Sequence, residues 1–341
     1  MLDYNTKFDR RESSTLLGVD AIRQLVSWHL KDSEIDSVAL LGGGFINSNY
    51  RLVLRNGRSL VLRISARSSA QDFVGKGVSD LLVRDFKKEL RVLQYVHGAV
   101  PVPAVVAEDF SRLYPFALIE FIEGTLLSDS LTRLDAPDLT KVAADAGAAL
   151  QAIHSFDLGQ AGFFDENFVF NPAFENFGGS LYDYICSSLV AGRVHERLGS
   201  KLADRMLEFV RARRDVYWSI ANCTRLIHSD YNLKNILIRR IDSVWKVVGI
   251  LDWEFALAGS PLVDIGNFLR FEDELPPGVS EAFIRGYLSN SIGLPDNWRE
   301  AAKLLDLAAM VNFLEDERDA PKTFQTAIAV MEKTMESNGL A

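Results

Sequence analysis

The sequence predicts an α+β chain in two parts, a small sheet-rich lobe followed by a larger, mainly helical one. Three observations carry this. Up to residue 122 the apolar pattern gives short alternating or β-branched runs with only two helical stretches. After Gly124 the pattern turns to long stretches of 3.6-residue period, with brief β-branched runs between them. The length of 341 residues suits two such units, and 48% apolar with 24% charged residues is ordinary globular composition.

Each element follows from local pattern. Residues 18–31 have helical apolar spacing. Residues 38–41, 49–55 and 59–65 read as strands, and Asn56-Gly57 between the last two signals a hairpin. Residues 66–79, rich in Ser, Gly and Lys, read as a loop. Residues 80–98 form a helix stopped by Gly98, Pro101 and Pro103. Residues 105–109 and 114–122 read as two more strands. Helices are then expected at 138–155, 178–191, 197–221, 261–271, 279–291, 297–316 and 321–338, with strand-like runs at 225–227, 236–238 and 247–251. The two patterns meet near 120–124, which divides the chain into lobes of 1–122 and 123–341.

Charge and cysteine content narrow the function classes. The net charge of −9 argues against a broad nucleic-acid surface. Residues 1–122 carry +2 and the remainder −11, so the second lobe is expected to attract cations. Two cysteines make no disulfide framework, the first residues lack a signal-peptide core, and no apolar run nears the roughly 18 residues of a membrane span. A cytoplasmic protein with no membrane partner is expected.

The chemistry concentrates in one stretch. His228-Ser229-Asp230-Tyr231-Asn232-Leu233-Lys234-Asn235 fits the pattern H-x-D-x-x-x-x-N, and a second β-like run ends at Asp252. Mg²⁺ takes hard oxygen ligands, one or two of them carboxylates, and leaves other positions to phosphates and water. Asn235 and Asp252 suit that role. Asp230 is then the carboxylate left to accept a hydroxyl proton. Upstream, Gly42-Gly43-Gly44 lies between two strands, where backbone N–H groups can approach phosphates. Arg63 lies in a strand, and a buried cation there needs a partner; Glu89 on the 80–98 helix is the candidate.

These segments resemble the aminoglycoside phosphotransferase and choline kinase family, of protein-kinase-like fold, over roughly residues 36–316. The likeness rests on GGGFINSNYRL, LVLRIS, KKELRVL, ALIEFIEG, LIHSDYNLKNILI and ILDWEFALAGSPLVDIGNFL. Asp252-Trp253-Glu254, in place of Asp-Phe-Gly, separates this group from protein kinases.

The resemblance implies transfer of the ATP γ-phosphoryl group, with Mg²⁺, to a hydroxyl of a small-molecule acceptor. It implies Asp230 as catalytic base and Asn235 and Asp252 as metal ligands. Gly43, Gly44, Ser48, Arg63 and Glu89 would serve the phosphates, and Glu120 to Ile122 the adenine. Asp264 would brace the catalytic loop, with His228 structural. Arg63 stands where protein kinases have Lys, Ser229 where the family often has Gly, and Lys234 where many members have Gly. The acidic segments at 272–274 and 315–317 are expected to grip an amine-bearing acceptor. A non-catalytic nucleotide-binding module is the alternative, and the intact Asp230, Asn235 and Asp252 speak against it.

Overall fold

The computed structural model describes residues 2–3, 7–9, 17–31, 34–41, 48–64, 86–111, 114–174, 176–290 and 293–337. The turn holding Gly43 and Gly44, the loop at 66–79 and the start of the 80–98 helix lie outside them.

Helix α1 (Val19–Val26) is followed by strands β1 (Ile35–Leu40), β2 (Ser48–Leu54) and β3 (Ser59–Ile64), then helix α2 (Phe86–Val96), β4 (Val105–Asp109) and β5 (Phe116–Glu120). The five strands make one antiparallel sheet in the order β1-β2-β3-β5-β4. The hairpin at Asn56 is present, with Gly57 at φ +83 supplying its left-handed residue. Alternation sorts the two faces. Leu52, Leu60, Leu62, Phe116 and Leu118 pack with Ile22 and Val26 of α1 into one core. Arg63 has opposite parity to Leu62 and pairs in register with Asn49 and Ala117. Ala117, Ile119 and the apolar face of α2 join a second core, which is continuous with the helical part of the chain.

The chain then runs through β6 (Thr125–Leu126) and a single turn into helices α3 (Ala136–His154), α4 (Phe177–Val190), α5 (Arg193–Leu198), α6 (Ser200–Arg211) and α7 (Arg214–Ser219). Asp135 caps α3, accepting from the Asp138 N–H at 2.8 Å. The single helix expected at 197–221 is broken at Gly199, whose φ of +74 no helix tolerates, and again at Arg213. Strands β7 (Arg225–Ile227), β8 (Ile236–Ile241) and β9 (Val244–Ile250) follow. The expected runs at 236–238 and 247–251 are the base of one hairpin, turned by Asp242 and Ser243 at φ +47 and +66. Then come a 3₁₀ turn at Trp253–Phe255, β10 (Leu257–Gly259) and helices α8 (Leu262–Leu269), α9 (Val279–Tyr287), α10 (Trp298–Glu315) and α11 (Pro321–Ser337).

One part of the N-terminal segment does not stay with the sheet. Phe8 packs against Phe271 and Phe313, with ring centroids 6.2 and 5.3 Å away. The Asp9 carboxylate accepts from the Thr323 N–H at 3.0 Å and so caps α11, while the Asp9 N–H donates to Thr323 Oγ1. Lys7 pairs with Glu274 at 2.6 Å. Residues 7–9, which the sequence assigns to the first lobe, therefore pack on the last helices. Further along, the Leu17 N–H donates to Tyr50 Oη at 2.8 Å and ties the chain to the sheet.

Candidate active site

The loop between β7 and β8 carries the motif, and its shape is fixed from below. Asp264, fully buried near the start of α8, accepts from the N–H groups of His228 at 2.7 Å and Ser229 at 2.6 Å. His154 Nε2 lies 3.0 Å from the same carboxylate, and Tyr287 Oη 3.0 Å from His154 Nδ1. The tautomer with hydrogen on Nε2 satisfies both contacts. Tyr231 is buried, and its hydroxyl donates to the Ala146 carbonyl on α3 at 2.8 Å. Ser229 adopts φ +64, the left-handed region that accounts for glycine's suitability there and costs a serine about 1–2 kcal/mol.

His228 is buried and neutral, and its two partners fix its tautomer. Its Nε2 faces the Leu251 carbonyl at 2.8 Å, so that nitrogen donates. Its Nδ1 accepts from the Asp230 N–H at 3.3 Å. Burial lowers its pKa from the ordinary histidine value, outweighing the pull of Asp264. The Leu251 N–H in turn donates to the Asn235 carbonyl at 2.8 Å, which ties the strand leading to Asp252 onto the catalytic loop.

Asp230 is held by two amides. Asn232 Nδ2 donates to Asp230 Oδ1 at 2.8 Å and Asn235 Nδ2 to Asp230 Oδ2 at 2.8 Å. Burial pushes the carboxyl up to about 7, against the pull of Arg270 and of Asn235 and Asn232. Asn232 had no role in the sequence reading because it matches no metal-ligand position. It holds Asp230 Oδ1, and its own Oδ1 accepts from the Lys234 N–H at 2.9 Å.

Asp252 sits at φ +59 just after β9 and is half exposed. It meets Arg63, whose Nη1 lies 2.9 Å from Glu89 Oε1 and 3.3 Å from Asp252 Oδ1. Arg63 Nη2 is 3.7 Å from Glu254 Oε2. The expected Arg63–Glu89 pair is therefore formed, and Glu254 joins it. Burial alone would lower the Arg63 pKa, but Glu89, Asp252 and Glu254 together raise it above the ordinary value. Burial pushes the Glu89 carboxyl up to about 7, with Arg63 pulling it back.

The remaining predicted residues fall as follows. Ser48 is buried at the head of β2, opposite Ile64. Glu120 is exposed at the end of β5, and its N–H donates to the Ala104 carbonyl at 2.8 Å. Glu120, Phe121 and Ile122 line a cavity of about 380 Å³ with His97, Val102 and Arg239. Asp230, Asn235 and Asp252 do not line that cavity.

The acidic segments are engaged within the chain. Glu272 pairs with Arg299 and with Lys303, Asp273 with Lys333, and Glu274 with Lys7. Asp316 pairs with Arg318 and Glu317 with Arg193. Those ion pairs neutralise most of the surface on which the expectation of a cation grip relied.

Among the described residues no group of three His, Cys, Asp or Glu gathers as a metal site. The donor set still fits Mg²⁺. Asp252 offers a carboxylate, and Asn235 spends its amide hydrogens on Asp230, leaving Oδ1 as acceptor. One carboxylate and one amide oxygen are the share a protein contributes when phosphates complete the shell.

A sheet-rich lobe joined to a helical one, with Asp230 clamped by two amides beside the strand leading to Asp252, is a kinase-like arrangement. The sequence matches the model of the phosphotransferase enzyme family (APH) over residues 37–304, and the chain belongs to that family. It is accordingly a phosphotransferase. No curated protein matches the sequence. Among solved structures, a thermostable mutant of aminoglycoside phosphotransferase APH(4)-Ia is similar, with TM-score 0.66 and 18% identity, covering 94% of this chain and 100% of that one. A GDP complex of a mutant aminoglycoside 2'-phosphotransferase IIIa has TM-score 0.64 and 18% identity, covering 94% and 98%. A putative fructosamine-3-kinase from Thermobifida fusca YX-ER1 has TM-score 0.62 and 17% identity, covering 94% and 100%. Among the described residues no helix is long and apolar enough to cross a membrane.

Proposed function

We propose that this small-molecule kinase phosphorylates an amine-bearing alcohol, with Asp230 as the base that orients and deprotonates the acceptor hydroxyl. The observation that carries the reading is the double amide clamp on Asp230, which fixes its carboxylate beside the loop leading to Asp252. In this reading Asn235 and Asp252 hold Mg²⁺, which supplies charge neutralisation on the transferred phosphoryl group. Arg63, set by Glu89, contacts the nucleotide phosphates with Ser48 and the Gly43-Gly44 turn. Glu120 to Ile122 bind the adenine. The sheet with α2 forms the nucleotide lobe (residues 1–122 less the docked segment 7–9), and residues 123–341 carry catalysis and the acceptor pocket.

Two supports favour an amine on the acceptor. The chain beyond residue 122 carries −11, which draws cations. Two of the similar structures are aminoglycoside phosphotransferases, and aminoglycosides are amine-bearing alcohols. Because the acids at 272–274 are already ion-paired, this attraction comes from the field of the whole lobe rather than from a dedicated grip.

The test is ADP release from MgATP with aminoglycosides, amino-alcohols, neutral sugars and sugar acids, at low and high salt. Turnover confined to amine-bearing alcohols, falling with salt, is expected. Preference for neutral or anionic alcohols overturns the acceptor assignment, and absence of any turnover with an intact nucleotide affinity favours a non-catalytic module.

A further inference from the structure

Lys88 precedes Glu89 on α2 and is buried with it. Its ammonium donates to the Ala256 carbonyl at 3.0 Å and lies 5.7 Å from the centroid of the Phe164 ring. An ammonium taken out of water is costly unless its surroundings satisfy it, so a lysine kept here in place of an apolar residue needs a reason.

The reason lies in where Ala256 sits. It follows the 3₁₀ turn that begins directly after Asp252 and contains Glu254. The short segment 252–256 therefore does two things. Its carboxylates contact Arg63 of the sheet, and its last carbonyl holds α2 through Lys88. Adjacent helical residues diverge by about 100° around the axis, so Lys88 reaches the segment below while Glu89 reaches Arg63. Glu89 is placed by whatever places α2.

We propose that Lys88 is a positioning residue for the nucleotide site. It locks α2 to the segment that carries Asp252, so that Glu89 meets Arg63 in one geometry whether or not a nucleotide is bound. The proposal rests on the reading of Arg63 as a phosphate contact.

The experiment is equilibrium binding of MgADP by calorimetry to the wild type, Lys88→Met, Glu89→Gln and the double variant, with Tm measured for each. Methionine fills the space of the lysine stem and lacks the donor. Lys88→Met should weaken MgADP binding about tenfold, the scale of coupling through a packed network. In the Glu89→Gln background it should add little, because no carboxylate remains for the helix to place. Lys88→Arg, which keeps charge and donor, should recover part of the affinity. Equal weakening in both backgrounds, or none in either, overturns the proposal. A purely structural lysine would lower Tm in both backgrounds without that dependence. Should Lys88→Met not fold, Lys88→Gln takes its place under the same criterion. Arg63→Ala separates the two readings. If it leaves MgADP affinity unchanged, the phosphate role of Arg63 fails. If it weakens binding while the Lys88 and Glu89 effects add, only the Lys88 proposal fails.

Discussion

Asn235 gives both of its amide hydrogen bonds to one residue, Asp230, reaching the backbone carbonyl at 2.9 Å and Oδ2 at 2.8 Å. The proposed base and a proposed metal ligand are thus tied together by two hydrogen bonds. Replacing Asp230 by Asn removes the charge and also sets an amide against the amides of Asn232 and Asn235. The kcat should fall about 10²-fold or more, the usual scale of a general base. MgADP affinity, measured by calorimetry, should change little. Near-normal turnover would remove Asp230 from the mechanism.

Asp252 contacts Arg63 and is the only carboxylate proposed for Mg²⁺. Asp252→Ala should abolish measurable turnover. ATP affinity should no longer rise with added Mg²⁺, because the protein's charged metal ligand is gone. Asn235→Ala should show the same pattern more weakly, since its oxygen is neutral. A titration of ATP affinity against Mg²⁺ that matches wild type would refute the ligand assignment.

Arg63 uses both arms of its guanidinium, Nη1 toward Glu89 and Asp252 and Nη2 toward Glu254. A single ammonium keeps the charge but not this span. Arg63→Lys should retain partial kcat with a raised KM for ATP, and Arg63→Ala should be worse in both. Steady-state kinetics at saturating acceptor reads the order. An Arg63→Lys enzyme as impaired as Arg63→Ala would show that geometry, not charge, is what the site requires.

His228 should make the fold acid-sensitive. Its folded pKa is lowered, so the neutral form stabilises the protein above the unfolded value of 6.5, and that stability is lost as pH falls through the folded value. The slope for one proton cannot exceed about 1.4 kcal/mol per pH unit. Glu89 and Asp230, both raised to about 7, act in the opposite sense and lose stability as pH rises toward 7. His228→Gln keeps a donor and an acceptor without titrating. The wild-type-minus-variant difference in unfolding free energy, by urea titration from pH 8 to 5, should therefore fall with pH. A flat difference would contradict the assignment.

Much of this was legible in the sequence because the period of the apolar pattern decides strands and helices locally. The sheet strands and α2 answer to that logic, while the loop at 228–235 is legible as a motif and the bracing role of Asp264 only through the family resemblance. Four features did not. Gly199 and Arg213 break an apolar period that continues smoothly across 197–221, because a helix break leaves little mark on periodicity. Asp242-Ser243 makes a hairpin without the Asn-Gly signal, using two non-glycine residues at positive φ. Asn232 holds Asp230 through an i to i+2 side-chain contact, which no metal-ligand spacing rule describes. The acids at 272–274 read as a free cluster because their partners Lys7, Arg299, Lys303 and Lys333 are distant or unremarkable in sequence.

The docking of Asp9 onto Thr323 has a mechanical meaning. Among the described residues, the chain joins sheet and helical body near 120–124, while Asp9 is pinned to the helical body by Thr323 and Leu17 to the sheet by Tyr50. Eight residue steps reach at most about 28 Å when fully extended. That length is a leash. While both anchors hold, the Tyr50 end of the tether stays within that reach of α11. The spacing of the first residues thus sets how far those two anchors can stand apart.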